Sequence, residues 1–141
     1  MILDVNILLA YVNADDPLHM RISRWLDKAL NGSVRVGFPL HSLLGFWRIA
    51  TNPRAVSPAL TTDEAAEQID AWLASQAAWV PQPGQGHLAV VRQLLTEADR
   101  GGPLVPDAHL AALAIEHGVS LLSADHDFQR FGTLVSLAPL P

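Results

Sequence analysis

The stretch from Leu104 to Phe128 constrains this chain most. Its first half, Leu-Val-Pro-Asp-Ala-His-Leu-Ala-Ala-Leu-Ala-Ile-Glu-His-Gly, offers almost no polar face. Pro106 suits the first helical position, where no N–H is needed, and Gly118 suits the left-handed position just past a helix end. A helix apolar on nearly every side has to lie inside the fold. The next run, Val119 to Ser123, reads as a short buried strand. Yet this apolar unit carries Asp107 in its first turn and Asp125 and Asp127 just beyond its strand. A fourth acid, Asp4, follows the apolar pair Ile2-Leu3 at the other end of the sequence. A fold that buries the unit must also accommodate its carboxylates.

The remaining punctuation alternates short apolar runs with helical patterns. Asn6 is the expected N-cap of a helix from Ile7 to Val12, which puts Asp4 where a strand gives way to a helix. Asp16-Pro17 pairs a cap with a first-turn proline, ahead of Leu18, Ile22, Trp25, Leu26, Ala29 and Leu30 at helical spacing and a stop at Asn31-Gly32. Val34 to Phe38 reads as a second strand. A helix from Pro39 follows, with Leu40, Leu43, Leu44 and Trp47 on one face, ending before Pro53. Thr61 and Glu64 have capping-box spacing. Trp79-Val80 reads as a short strand, Leu88 to Ala98 as a helix, and Leu134 to Leu137 as a last strand at a sheet edge. The helical pair between Phe38 and Ser75 is expected to form an arm partly outside the sheet layer, with an apolar face suited to dimerisation. Trp47 and Trp72 fit packing rather than base stacking. Strands alternating with helices predict an α/β fold with a mostly parallel sheet, organised as one domain over residues 1–141.

Composition narrows the function classes. Of 141 residues, half are hydrophobic and 16% are charged, which argues against disorder. No apolar run is long enough for a membrane-spanning helix, and no secretory signal pattern is present at Met1. The absence of cysteine excludes disulfides and thiolate chemistry and fits a cytoplasmic location. The net charge of −5 is wrong for a general nucleic-acid binder, but a divalent cation among the four acids offsets part of it.

Each of these aspartates has an ordinary structural reading by itself, as a helix-dipole partner or a turn former. Together they say more. Asp4 and Asp125 at the ends of neighbouring parallel strands point into one crevice, with Asp107 facing it from a helix start. Such carboxylates repel one another unless a cation lies between them. Oxygen-only ligands favour Mg²⁺ or Mn²⁺, and such a site suits metal-assisted hydrolysis of a phosphodiester.

Asp4-Val5-Asn6-Ile7-Leu8-Leu9, Trp47 to Arg54, Val105 to Ala114 and Ser123-Ala124-Asp125-His126-Asp127-Phe128 resemble, in order, the motifs of PIN-domain ribonucleases, and most of all the VapC-type toxins of bacterial toxin–antitoxin pairs. The resemblance implies a PIN-like three-layer α/β fold, with a short central sheet flanked by helices. It implies a Mg²⁺- or Mn²⁺-dependent endoribonuclease, homodimeric and held inactive by a small VapB-like antitoxin, whose products carry a 5′-phosphate and a 3′-hydroxyl. By position Asp4, Asp107 and Asp125 are the metal-binding catalytic acids, Asp127 is an additional acid, and Asn6 and Ser123 support the site. Arg48 and Arg54 are candidate contacts for RNA phosphates.

One position departs from the family pattern. Gly45 stands where a Glu is expected, and no acid occurs between Asp27 and Asp63. Asp127, His41 or His109 are the residues available to compensate. The alternative reading is a weak or inactive PIN-like protein that binds RNA or its antitoxin. A phosphatase with an aspartyl nucleophile is a third class. Asp4-Val5-Asn6 matches its Asp-x-Asp poorly, and Lys28 is the only lysine.

Overall fold

The computed structural model describes residues 1–141. Four parallel strands, β1 (Ile2–Leu3), β2 (Val36–Gly37), β3 (Ala78–Trp79) and β4 (Leu121–Leu122), form a sheet in the order β3-β2-β1-β4. The helices are α1 (Val5–Val12), α2 (His19–Leu30), α3 (Leu40–Ala50), α4 (Thr62–Leu73), α5 (His87–Glu97) and α6 (Val105–Glu116). A 3-10 turn over Gly102–Leu104 leads into α6, and a 3-10 segment over His126–Leu134 follows β4, broken at Gly132.

Two apolar clusters hold the layers together. One packs α1, α2, α3 and α4 beside the sheet through Leu3, Ile7, Leu26, Phe38, Phe46 and Trp72. The other packs α5, α6 and the 3-10 segment through Ile2, Leu94, Leu113, Leu121, Phe128 and Phe131. Neighbouring residues Ile2 and Leu3 therefore serve opposite clusters, as strand alternation requires. Helix α6 has six buried residues, and Gly118 at φ 61° closes its end in the left-handed region, as the sequence predicts.

Several expectations need correction. Asp4, not Asn6, caps α1, accepting a hydrogen bond from the Val5 N–H at 2.6 Å, because the chain turns into helix directly from β1. Asn6 is one residue inside that helix. Helix α2 begins at His19 rather than Pro17, since Asp16 accepts from Leu18 N–H and closes a separate turn. The Phe38–Ser75 pair is not an arm. Its helices α3 and α4 share the main core, with Phe46 and Trp72 fully buried, and of its large hydrophobic side chains only Leu40 and Leu44 remain exposed, at 57% and 55%. The Leu134–Leu137 run contributes one parallel bridge, Leu137 to Leu121, beside β4. Each strand is two residues long, shorter than expected for β2 and β4.

Candidate functional site

Pairing of β1 with β4 builds the first half of the site. Ile2 lies opposite Leu121 and Leu3 opposite Leu122, and the Asp4 N–H donates to Leu122 O at 3.0 Å. The residues just past the two strands, Asp4 and Ser123, are thereby brought together across 119 positions of sequence. Ser123 Oγ donates to Asp4 Oδ2 at 2.6 Å, and Asn6 Nδ2 donates both to Asp4 Oδ2 at 2.8 Å and to Ser123 Oγ at 2.9 Å. Asn6 Oδ1 accepts from the Ala124 N–H, and Ser123 Oγ accepts from the Asp125 N–H. Asp4 is only 5% exposed, so an unpaired carboxylate there would carry a large desolvation cost. The donors offset part of it. Burial still pushes its pKa up, opposed by the Ser123 and Val5 hydrogen bonds.

Helix α6 brings Asp107 to the same end of the sheet. Its carboxyl is half-buried and has no hydrogen-bond partner within the protein. Its pKa is raised to about 6, first by burial and then by Asp4, Asp125 and Asp127. That mutual influence places all four acids in one electrostatic neighbourhood. Asp125 is exposed and uses Oδ1 to accept from the Asp127 N–H at 2.8 Å. Asp127 is exposed, accepts from Arg130 Nε at 2.7 Å, and has its pKa lowered mainly by that bond. Arg130 escapes sequence reading, although its position three residues after Asp127 in a tight helical segment permits the pair.

A resident divalent ion fits this chemistry in part. The donors are carboxylate oxygens, the acids lack enough neighbouring cations to balance them, and Asp107 is unpaired. No three acids or histidines converge closely enough to hold an ion as a closed cage. Mg²⁺ commonly keeps several waters and takes only one or two carboxylates directly, so an open hydrated arrangement suits the residues present.

Gly45 lies in the middle of α3, facing α1. A Cβ built there would meet Val5 Cγ2 at 3.2 Å, so the glycine lets the two helices approach. Nearby Ser42 is buried and donates to Leu3 O at 2.9 Å, pinning α3 to the end of β1. The candidate RNA contacts behave differently. Arg48 lies in the last turn of α3 and Arg54 in the turn after it, both exposed and neither in an ion pair with an acid. Seven residues of helix, about 10 Å, separate Arg48 from His41 at the sheet end of α3.

The histidines form a group of their own. The rings of His41 and His109 are 5.6 Å apart, and those of His109 and His87 are 4.8 Å apart. His87 Nε2 is 2.7 Å from His109 Nδ1, and His87 Nδ1 is 2.7 Å from Glu116 Oε2. Burial, then His87 and His41, hold His109 below the usual imidazole range. His87 and Glu116 carry no local sequence signal, apart from Glu116 standing seven residues after His109 on one helix face.

The PIN domain family model matches residues 1–134. Ribonuclease VapC37 of Mycobacterium tuberculosis is 43% identical over 130 residues, covering 92% of this chain and 90% of that protein. Among solved structures, the sarcin–ricin-loop-cleaving toxin VapC20 of Mycobacterium tuberculosis superposes with a TM-score of 0.70 at 20% identity, covering 98% of both chains. VapBC2 of Rickettsia felis, bound to a DNA fragment from its promoter, gives 0.69 at 16% identity, covering 97% of this chain and 96% of that one. At those identities the two structures speak for the fold, and the expected α/β architecture is the one observed. With one family model spanning nearly the whole sequence and a relative this similar over nine-tenths of both chains, the protein belongs to the PIN-domain family, among its VapC ribonucleases.

Proposed function

We propose that this chain is a Mg²⁺- or Mn²⁺-dependent endoribonuclease and the toxin of a toxin–antitoxin pair. The observation that carries the reading is the gathering of Asp4, Asp107 and Asp125 from three separate segments at one end of the sheet, with Asp107 unpaired and raised to about 6. Asp4, Asp107 and Asp125 hold the ion, and Asp127 is an auxiliary acid restrained by Arg130. Bound there, the ion supplies Lewis-acid activation of a water and neutralises charge on the phosphodiester. The protein's own part is positional. Asn6 and Ser123 both donate to Asp4 Oδ2 and lock the carboxylate in one orientation, leaving Oδ1, which accepts only from the Val5 N–H, with a lone pair for the site. Asp107 keeps both oxygens free. Arg48 and Arg54 meet RNA phosphates further along the bound strand.

The similarity to VapC37 supports RNA as substrate, and the fold shared with VapBC2 supports a small antitoxin as partner. Leu40 and Leu44, exposed on α3, offer an apolar contact to a second copy in a homodimer. No helix is long and apolar enough to cross a membrane, and the cytoplasm is the proposed location. The deciding experiment is RNA cleavage by purified protein with Mg²⁺ or Mn²⁺. Asp107→Asn should reduce it at least a hundredfold, and a variant that cleaves at the wild-type rate removes the assignment.

The missing acid at Gly45 and the lack of a closed ligand cage favour a second reading, an inactive module that binds RNA or antitoxin. Calorimetric titration with Mn²⁺ separates the two. Binding that Asp107→Asn abolishes supports the nuclease; no heat up to millimolar metal supports the module.

A further inference from the structure

A guanidinium is tied to the acidic centre by an unbroken run of hydrogen bonds. Ser123 Oγ donates to Asp4 Oδ2 at 2.6 Å, and the Asp125 N–H donates to Ser123 Oγ at 2.9 Å. The Asp127 N–H donates to Asp125 Oδ1 at 2.8 Å, and Arg130 Nε donates to Asp127 Oδ1 at 2.7 Å. Arg130 is thereby linked, contact by contact, to the buried acid Asp4. Arg100, in the turn between α5 and α6, is near enough for its charge to favour the Asp127 carboxylate too. Strand β4, which this segment follows, borders β1 on the side away from β2, the strand that leads into α3 and Arg48.

The Arg130 side chain is held at two points. Phe128 and Phe131, on either side of it in the 3-10 segment, are fully buried and fix its backbone. Asp127 fixes its head through Nε alone. A guanidinium carries five N–H donors, so the end-on fork of Nη1 and Nη2 is left without a partner in the protein. That planar fork matches two oxygens of a phosphate. Stability does not account for the pair. Its side chains are 48% and 51% exposed, and solvent screens such a bridge to little net worth. Charge does give it a use. Four carboxylates against one divalent ion leave the centre negative, and an RNA strand adds a negative charge with each phosphate. A fixed cation beside the acids offsets that repulsion where the strand has to pass.

We propose that Arg130 is a substrate-binding residue: its Nη1 and Nη2 donate to the non-bridging oxygens of an RNA phosphate next to the scissile one, on the β4 side of the acidic centre. Asp127 is the positioning residue that aims the fork. The phosphate is a different one from those given to Arg48 and Arg54. The inference rests on the ribonuclease reading and adds a substrate contact to it.

The test pairs a protein variant with substrate variants. A randomised single-stranded RNA 20-mer pool, incubated with the protein and Mn²⁺, yields a cleaved sequence. That oligonucleotide is then resynthesised with a single uncharged methylphosphonate linkage at each position flanking the cut, the preceding ribose being 2′-O-methylated. The reference strand carries the 2′-O-methyl group alone. Among these linkages the wild type should show losses of about tenfold in kcat/KM. Arg130→Gln should lose a similar factor on the unmodified strand and nothing further at one of those linkages. Its kcat/KM should also fall less steeply with salt, the log–log slope being shallower by about 0.7 for one phosphate contact removed from a single strand. Thermal melting checks that the variant is folded. If Arg130 only restrained Asp127, Arg130→Gln would stay as sensitive as the wild type at every neutral linkage and keep its salt slope. That result overturns the inference alone, as does a wild type indifferent to every linkage. A wild type that cleaves no RNA overturns the ribonuclease reading and this inference with it.

Discussion

Asp107 illustrates how one side chain can oppose stability at the place where the proposed function needs it. Its folded pKa of about 6 lies above the ordinary carboxylate value of about 3.9. Between those values the folded state binds more protons than the unfolded one, so this group's contribution to stability falls as pH rises from about 4 to about 6. Above pH 6 the penalty is fully present. Asp107→Asn should therefore stabilise the metal-free protein at pH 7–8, by on the order of 1 kcal/mol after solvent screening of a half-buried group, and the gain should vanish below about pH 4. Calorimetric unfolding in a chelator across that range checks both sign and window. Ser123→Ala should have a different signature. It removes the hydrogen bond that most lowers the Asp4 pKa, so the acid limb of the activity profile should move to higher pH. At this scale the sequence was readable where acids follow apolar runs, as at Asp4, Asp107 and Asp125. His87 and Glu116 were not readable, because their pairing depends on how α5 packs on α6, which no local pattern records.

Helices in this protein announce themselves and strands do not. Thr61 and Glu64 form the expected capping box, with Glu64 N–H donating to Thr61 Oγ1 and Thr61 N–H donating to Glu64 Oε2. Thr61→Ala should cost about 1 kcal/mol, read as a melting temperature lower by about 3 °C. The strands contain only two residues each, too few for any alternation to register, so their ends were set by apolar runs that continue past the hydrogen-bonded ladder. Asn6 has the residue type of a cap, but tertiary pairing with Ser123 claims its side chain. Between α1 and α3 the decisive residue is Gly45. Gly45→Glu restores an acid but presses its Cβ on Val5 Cγ2. It should melt lower than wild type, and adding Val5→Ala should recover much of the loss. If the acid then joins the proposed site, the double variant should bind Mn²⁺ more tightly than wild type by calorimetry.

Association and ion binding act on the molecule as a unit. A ligand that binds only the folded state raises its stability by mass action, so Mn²⁺ should raise the melting temperature of the wild type and leave that of Asp107→Asn nearly unchanged. Replacing Leu40 and Leu44 together by Asp should convert the proposed homodimer to monomer by light scattering without lowering helix content, since both side chains are already exposed. The alternation of strand and helix made the α/β class readable, while the seating of α3 and α4 inside the core was not, because an amphipathic helix fits an arm and a core layer equally well. The link between Asp4 and Ser123 has a further consequence, in time rather than space. The two are joined across 119 residues, and the central strand gains its β4 neighbour only when that distant segment exists. At about 5–20 residues per second, a ribosome needs on the order of ten seconds to supply it. A nascent or prematurely terminated chain thus has Asp4 without its Ser123 partner, and the acidic centre is assembled at the close of synthesis rather than during it.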